Sequence, residues 1–290
     1  MKKNVLITGA SGFIGTHLRS LLKNSHTINP VALSREDNNL IDGQISVKQN
    51  IDSVVHLAGL SFVPDAIKNP FKMYHYNFML TLNMLDYCRR ENIKEFIFMS
   101  SYVYGKPEYL PINEDHPTNI ENPYGRSKLI CEEICKAYSK DYGIQVVILR
   151  PFNIYGHNQD KRFLIPTIIE QIRENKDHIV LKDLKPKRDY LYVKDLVSLL
   201  ELIIKKEKVK PLSTYNIGSS NSHSVEDIVK KILQVFQCDK QIKDLGNIRQ
   251  NEVQDCIADI KSIKNDYDWF PCYSLEEGIE DMRLESDKDV

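Results

Sequence analysis

The chain has 290 residues, of which 42% are hydrophobic and 27% charged, and its net charge at pH 7 is −1. This length and balance are typical of a globular protein with one large domain or two closely packed ones. The near-neutral charge argues against nucleic acid or an anionic membrane as a partner, and no apolar run approaches the ~18 residues that span a bilayer, so we expect a cytoplasmic protein.

The first predicted element is an apolar strand over residues 5–8, followed by three glycines and a helix over 12–22. Gly9 would make a tight turn, Gly12 would let the backbone approach a pyrophosphate, and Gly15 would let the helix pack on the sheet. The free N–H groups of the helix N-terminus would face the anion. This segment therefore predicts dinucleotide binding by Gly9, Ser11, Gly12, Phe13, Ile14 and Gly15.

The second predicted strand, over residues 30–33, ends in Ser34 and Arg35. Folds that bind NAD place a carboxylate at this point for the ribose hydroxyls, whereas a nearby arginine accommodates the 2′-phosphate of NADP. We therefore favour NADP(H), with Ser34 and Arg35 as contacts. NAD(H) stays the alternative, because Glu36 and Asp37 follow directly and Arg35 could be a solvated loop residue.

Further strands and helices alternate along the chain, with strands expected over 53–57, 95–100, 145–149 and 213–217 and helices over 70–91, 123–142, 163–175 and 224–235. Near-continuous apolar strands between helices predict an α/β fold of the Rossmann type, with a doubly wound parallel sheet. We expect residues 1–155 plus 189–219 to form this dinucleotide-binding domain. Residues 156–188 plus 220–290 would form a smaller C-terminal substrate-binding domain.

Cysteine and histidine spacing gives no sign of a metal site. None of the six cysteines belongs to a Cys-x-x-Cys pair, and no His-x-x-x-His pair is present. Cys131 and Cys135 could share a helix face, but without further ligands nearby they are expected to be buried free thiols.

Tyr124 and Lys128 lie four residues apart and would project from one face of the helix over 123–142. A nearby ammonium lowers the pKa of a phenol, which could then exchange a proton with a sugar hydroxyl or ketone. Other Tyr and Lys residues share this spacing, so the spacing alone is not specific. Only Tyr124 opens a long helix after a strand that ends in serines, at the edge where open parallel sheets bind ligands.

The chain resembles the extended short-chain dehydrogenase/reductases, in the branch of NAD(P)-dependent nucleotide-sugar epimerases and dehydratases. The resemblance covers nearly the whole chain in the expected order. It rests on the glycine segment together with His56-Leu57-Ala58-Gly59, Ser100-Ser101-Tyr102-Val103-Tyr104-Gly105, Tyr124-Gly125-Arg126-Ser127-Lys128, Arg150-Pro151-Phe152-Asn153-Ile154-Tyr155-Gly156, Lys187-Arg188-Asp189-Tyr190, Tyr215-Asn216-Ile217-Gly218 and Asn251-Glu252.

The resemblance implies a role for each matching residue. Tyr124 would be the general acid/base, Lys128 would bind the nicotinamide ribose and lower the pKa of Tyr124, and Ser100, five residues before Gly105, would hydrogen-bond the reacting C4 oxygen. Further expected cofactor contacts are Leu57, Ala58, Gly59 and Asn77. Expected contacts to a nucleoside-diphosphate sugar are Ser101, Tyr102, Asn153, Arg188 and Arg249, with the arginines on the diphosphate. Tyr102 could equally pack beside the nicotinamide.

One departure from the family pattern argues against 4,6-dehydration as the reaction of this protein. Members that perform 4,6-dehydration carry an Asp-Glu pair directly after the catalytic serine or threonine, and here Ser101 and Tyr102 stand there. We therefore expect an NADPH-dependent 4-ketoreductase acting on a nucleoside-diphosphate 4-keto-6-deoxy sugar. The alternative is a 4-epimerase, of the kind that acts on UDP-glucose or UDP-GlcNAc, with tightly bound NAD. A dinucleotide sensor without catalysis is a third possibility, although sensors commonly lack the tyrosine–lysine pair.

Two further expectations follow from the family. Relatives often form homodimers through the two long helices that correspond to residues 70–91 and 123–142. The stretch between the second strand and Ser53 is shorter than usual, so part of the adenine-side contacts could be missing.

Overall fold

The computed structural model describes residues 2–33, 39–174, 177–207, 210–247 and 252–288. Its strands are β1 (Lys3–Thr8), β2 (Ile28–Ala32), β3 (Ser53–His56), β4 (Glu95–Met99), β5 (Gln145–Pro151), β6 (Asn153–Tyr155), β7 (His178–Leu181), β8 (Lys187–Tyr192), β9 (Leu212–Ile217), β10 (Ser222–Ser224) and β11 (Gln241–Asp244). Its helices are α1 (Phe13–Lys23), α2 (Val63–Lys68), α3 (Pro70–Arg90), α4 (Pro123–Tyr142), α5 (Leu164–Arg173), α6 (Val193–Lys205), α7 (Val225–Val235), α8 (Lys261–Tyr267) and α9 (Leu275–Lys288).

The structure divides into two compact units. The first contains residues 1–105, 117–151 and 197–215, and the second contains 106–116, 152–196 and 216–290. The boundaries differ from the expected ones, because β8 pairs with β6 and β10 rather than with the large sheet. Likewise Ile112 joins the second unit through a bridge to Ala258.

The first unit is built on a six-stranded sheet with the order β2-β1-β3-β4-β5-β9 among the described residues. The pairings β1–β2, β1–β3, β3–β4 and β4–β5 are all parallel. Strand β3 is buried at every position, as is expected of a strand covered on both faces. The Rossmann-type parallel sheet is thus confirmed. The strand order reverses at β1, which places the ligand site of such a sheet beyond the carboxyl ends of β1 and β3.

Local sequence sets the limits of α4, the helix that carries Tyr124. The Asn122 side chain accepts a hydrogen bond from the Gly125 amide at 2.9 Å, and Pro123 occupies the first helical position. Both features are favoured at helix starts. The helix ends at Gly143, whose φ of +68° is a left-handed conformation that glycine adopts without strain. Tyr124 therefore lies in the first turn of a well-capped helix.

The second unit has a three-stranded sheet with the order β10-β8-β6 and a two-stranded parallel pair of β7 and β11. Two buried aspartates tie its loops together. Asp189 accepts hydrogen bonds from the Ser219, Ser220 and Ala258 amides at 2.6 to 3.0 Å. Asp195 accepts from the Cys272 and Tyr273 amides at 2.9 and 3.1 Å. Among the described residues, no helix is long and apolar enough to cross a bilayer.

Candidate active site

The glycine turn connects β1 to α1 in a shape that only glycine permits. Gly9 has a φ of +66°, and a Cβ there would lie 2.8 Å from the Ala58 amide nitrogen. A Cβ on Gly15 would lie 2.2 Å from the Gly9 carbonyl oxygen, so the helix packs directly on the turn. Gly12 caps α1 without a side-chain hydrogen bond. An open helix N-terminus beside a glycine turn fits a dinucleotide pyrophosphate.

The predicted cofactor residues that follow β3 lie beside α3 and α4. Asn77 accepts a hydrogen bond from the Leu60 amide at 2.8 Å and donates from Nδ2 to the Ser127 hydroxyl at 2.8 Å. A Cβ on Gly59 would lie 3.1 Å from Asn77 Oδ1 and 3.5 Å from Lys128 Nζ. The turn after β3, the middle of α3 and the start of α4 thus meet at one place.

His56 stands behind this turn in a buried hydrogen-bond chain. Its Nδ1 lies 2.8 Å from the Thr8 hydroxyl, which also accepts from the Ala58 amide at 3.1 Å. Its Nε2 lies 3.3 Å from the Thr81 hydroxyl, which donates to the Asn77 carbonyl at 2.9 Å. Burial, and secondarily the charge of Lys128, lowers the pKa of His56 to about 3. The ring is therefore neutral at pH 7.

The donor and acceptor roles along this series of hydrogen bonds can be assigned, because each hydroxyl has a single hydrogen to donate. Because the Thr81 hydroxyl gives its hydrogen to Asn77, His56 must donate from Nε2 to Thr81. Its Nδ1 then accepts the hydrogen of Thr8. His56 begins the motif His56-Leu57-Ala58-Gly59, but the sequence assigns it no role, because nothing near residue 56 in sequence indicates its partners on β1 and α3.

Lys128 is buried one turn after Tyr124 on the same helix. Its Nζ donates to the Met99 carbonyl at 2.9 Å and lies 5.0 Å from the centre of the Phe98 ring. Burial lowers the pKa of Lys128, whereas the nearby Cys131 and Cys135 thiols and the Glu132 carboxylate oppose that shift. Those two cysteines are buried free thiols, which confirms that expectation.

Tyr124 is half-buried and interacts with Ser101. Burial raises the pKa of Tyr124, and the hydrogen bond with the Ser101 side chain opposes this effect. The net shift is opposite to the lowering expected from Lys128, because the loss of hydration outweighs the hydrogen bond with Ser101. The phenol is therefore protonated at neutral pH.

The hydroxyl of Ser100, the expected partner of the reacting oxygen, is bonded to Glu132 instead of facing Tyr124. The Ser100 amide extends the sheet by donating to the Leu149 carbonyl at 2.8 Å, and the hydroxyl donates to Glu132 Oε1 at 2.5 Å. The structure brings Ser101, not Ser100, to Tyr124. Counting back from Gly105 missed this, because side chains at successive positions of an extended segment point to opposite sides. Tyr102 donates its hydroxyl to the Gly105 carbonyl at 2.5 Å.

The candidate substrate residues outside this group lie in the second unit. Arg188 forms an ion pair with Glu252 and donates from Nη1 to the Val253 carbonyl at 2.6 Å. Asn153 donates to the Asp189 carbonyl at 3.3 Å. Ser34, Arg35 and Arg249 fall outside the described residues. Within the described part of the chain, no group of three or more His, Cys, Asp or Glu residues could hold a metal ion.

Together, the parallel sheet, the glycine turn before α1 and the tyrosine–lysine pair on α4 define a dehydrogenase-type dinucleotide fold. Residues 5–218 match the family model described as "NAD dependent epimerase/dehydratase family", and the chain belongs to this family of extended short-chain dehydrogenase/reductase enzymes.

Its relatives include both kinds of enzyme that the sequence suggested. The chain is 33% identical over 304 residues to a putative UDP-glucose 4-epimerase of Methanocaldococcus jannaschii, with 95% of each chain covered. It is 28% identical over 294 residues to GDP-6-deoxy-D-mannose reductase of Pseudomonas aeruginosa, covering 96% of this chain and 95% of the relative. A solved structure of RMD from Pseudomonas aeruginosa complexed with NADPH has a TM-score of 0.91 at 24% identity, with both chains covered completely.

Proposed function

We propose that this protein is an NADPH-dependent 4-ketoreductase that reduces the C4 carbonyl of a nucleoside-diphosphate 4-keto-6-deoxy sugar. The observation that carries the proposal is the placement of the Tyr124 phenol beside the Ser101 hydroxyl, with Lys128 one turn further along α4, at the edge of the sheet where such folds bind ligands. A ketone reduction needs a proton donor at the carbonyl oxygen, and a tyrosine with a raised pKa is held in the donating form. The full-length relationship to GDP-6-deoxy-D-mannose reductase supports the same reaction.

Three residues of the first unit have separate roles in the proposed reduction. Tyr124 donates its phenolic proton to the C4 oxygen, while Ser101 holds that oxygen with its hydroxyl. The ammonium of Lys128, one turn further along α4, stabilises the phenolate that remains until it is reprotonated from solvent. The bound dinucleotide supplies the hydride that converts the C4 carbonyl carbon into an alcohol carbon.

Binding is assigned to the remaining candidate residues. The amides at the start of α1 hold the pyrophosphate of the dinucleotide, and Asn77 keeps the turn after β3 in place for the nicotinamide side. Ser34 and Arg35 are proposed to bind the 2′-phosphate of NADPH by donating hydrogen bonds to it. Asn153 and Arg188 of the second unit, together with Arg249, are proposed to hold the diphosphate of the sugar nucleotide, since arginine offers charged, paired donors to phosphate.

The second candidate is a nucleotide-sugar 4-epimerase, which the relationship to the putative UDP-glucose 4-epimerase favours. An epimerase uses the same tyrosine, lysine and serine, and it retains NAD because its reaction has no net redox change. A 4,6-dehydratase is disfavoured, since Ser101 and Tyr102 stand where dehydratases of the family carry an Asp-Glu pair, and neither has a carboxylate.

The test begins with the cofactor. Freshly purified protein is denatured, any released dinucleotide is identified by mass, and stripped protein is titrated with NADH and NADPH. A preference for NADPH, followed by NADPH oxidation with a 4-keto-6-deoxy nucleotide sugar, supports the reductase. Retained NAD with interconversion of UDP-sugars identifies the epimerase instead. The Tyr124→Phe variant should bind cofactor normally and lose turnover, and near-normal turnover would contradict the role of Tyr124.

A further inference from the structure

Four buried side chains form a polar network between the catalytic helix and the loop that follows β4. Glu132 and Tyr104 have 0% of their surface exposed, Ser100 has 2% and Arg150 has 6%. Arg150 Nη2 lies 2.7 Å from Glu132 Oε2, and its Nε lies 3.0 Å from Oε1. Its Nη1 donates to the Tyr104 hydroxyl at 3.0 Å. Because the guanidinium and the carboxylate neutralise each other in a two-bond geometry, the network tolerates complete burial.

This network determines where the side chain of Ser100 points. The Ser100 hydroxyl donates its single hydrogen to Glu132 Oε1 at 2.5 Å, so that hydrogen is not available to a substrate oxygen. The backbone of Ser100 is still paired with Leu149 on β5. Since successive side chains of an extended segment point to opposite sides, an inward Ser100 turns Ser101 to the other side.

The network is also attached to the catalytic helix at a definite place. Tyr124, Lys128 and Glu132 follow one another at intervals of four residues on α4 and so lie along one face of the helix. Arg150 lies at the end of β5 and Tyr104 in the loop after β4. Glu132 therefore connects the helix that carries the tyrosine to both ends of the segment 100–104.

We propose that Glu132, paired with Arg150, is a positioning residue of the active site that holds Ser100 inward and thereby presents Ser101 as the serine that meets the substrate beside Tyr124. This inference rests on the proposed function for its substrate. It assigns the two neighbouring serines different tasks, and it gives the buried ion pair a consequence for reaction rate as well as for folding.

The two serines provide matched variants for the first test. With NADPH and the 4-keto-6-deoxy nucleotide sugar, Ser101→Ala should lower kcat by about 100-fold, the usual order for loss of a hydrogen-bond donor at a reacting oxygen. Ser100→Ala should lower kcat by only about tenfold, because it removes the bond to Glu132 that positions the segment but leaves the Ser101 hydroxyl in place. The reverse order of effects would overturn the proposal.

The role of Glu132 needs a variant that leaves no lone buried charge. Glu132→Gln alone would strand the guanidinium, so Glu132→Gln/Arg150→Gln removes both charges together. We expect this double variant to bind NADPH within twofold of wild type, to lose at least tenfold in kcat with little change in KM, and to move the alkaline limb of its pH–rate profile upward as Tyr124 loses Ser101. A purely structural pair would lower the urea midpoint and leave kcat and the pH profile unchanged, which would overturn the proposal.

A titration of Tyr124 in the absence of substrate tests the role of Glu132 independently of the proposed function. The ultraviolet titration of the wild type minus that of Tyr124→Phe isolates the ionisation of Tyr124. If no nucleotide sugar is turned over, the proposed function fails, yet the titration still decides the positioning role. An upward shift of the Tyr124 midpoint in both Ser101→Ala and the double variant supports it, and an unmoved midpoint in the double variant refutes it.

Discussion

Acid should destabilise this protein through one buried histidine. His56 is 1% exposed and is neutral because burial lowers its pKa to about 3. In the unfolded chain the same ring has an ordinary pKa of about 6.5. Below pH 6.5 the His56 ring becomes protonated in the unfolded state but stays neutral in the folded state. Folding stability contributed by the neutral ring is thus fully present above pH 6.5 and is lost as the pH falls toward 3.

The size of the effect follows from the two pKa values. Each pH unit between them costs about 1.4 kcal/mol, so at pH 5 the folded state has lost about 2 kcal/mol relative to pH 7. Protonation would also place hydrogens on both ring nitrogens, so His56 Nδ1 could no longer accept the hydrogen of the Thr8 hydroxyl.

The assay compares urea unfolding at pH 7 and pH 5 in the wild type and in His56→Gln, followed by far-UV circular dichroism. The variant is expected to be less stable at pH 7, since it perturbs a buried hydrogen-bond network, but to lose about 2 kcal/mol less on acidification. His26→Gln, in the exposed loop between α1 and β2, is the matched control and should lose as much stability on acidification as the wild type.

Equal losses of stability in the wild type and His56→Gln would refute the reasoning. So would an NMR titration in which the His56 ring protonates with a midpoint near 6, since that would show that burial does not prevent its ionisation.

Three further predictions concern the cofactor and the assembly. Gly15→Ala places a Cβ 2.2 Å from the Gly9 carbonyl oxygen, so it should cost about 1–3 kcal/mol of stability and abolish NADPH binding in titrations; an unchanged affinity would show that the turn is not the pyrophosphate site. Arg35→Ala should weaken NADPH at least tenfold more than NADH, whereas equal losses would remove the argument for NADP. We also propose that the chain forms a homodimer through α3 and α4, where Phe71 and Ile130 are exposed, so sedimentation should show a dimer that Ile130→Glu converts to a monomer; a monomeric wild type would contradict this.

The sequence by itself determined the parts of this protein whose physics is local. The glycine spacing after β1 predicts the turn, because the positive φ of Gly9 is a local backbone requirement and Gly15 packs against Gly9 itself, six positions earlier. The four-residue spacing of Tyr124 and Lys128 predicts their shared helix face, since helical geometry alone sets it. Asn122, Pro123 and Gly143 likewise indicate where α4 begins and ends. The alternation of near-continuous apolar strands with helices is the basis of the predicted parallel sheet, which the structure confirms.

Only the tertiary structure decided which groups meet across the chain. The proximity of Ser101 rather than Ser100 to Tyr124 depends on Glu132 and Arg150, which lie about thirty and fifty residues further along. The low pKa of His56 depends on burial between β1, β3 and α3, and burial cannot be derived from its neighbours in sequence. The raised pKa of Tyr124 has the same origin: local spacing predicts a lowering by Lys128, but the desolvation that raises this pKa exists only after the chain has packed.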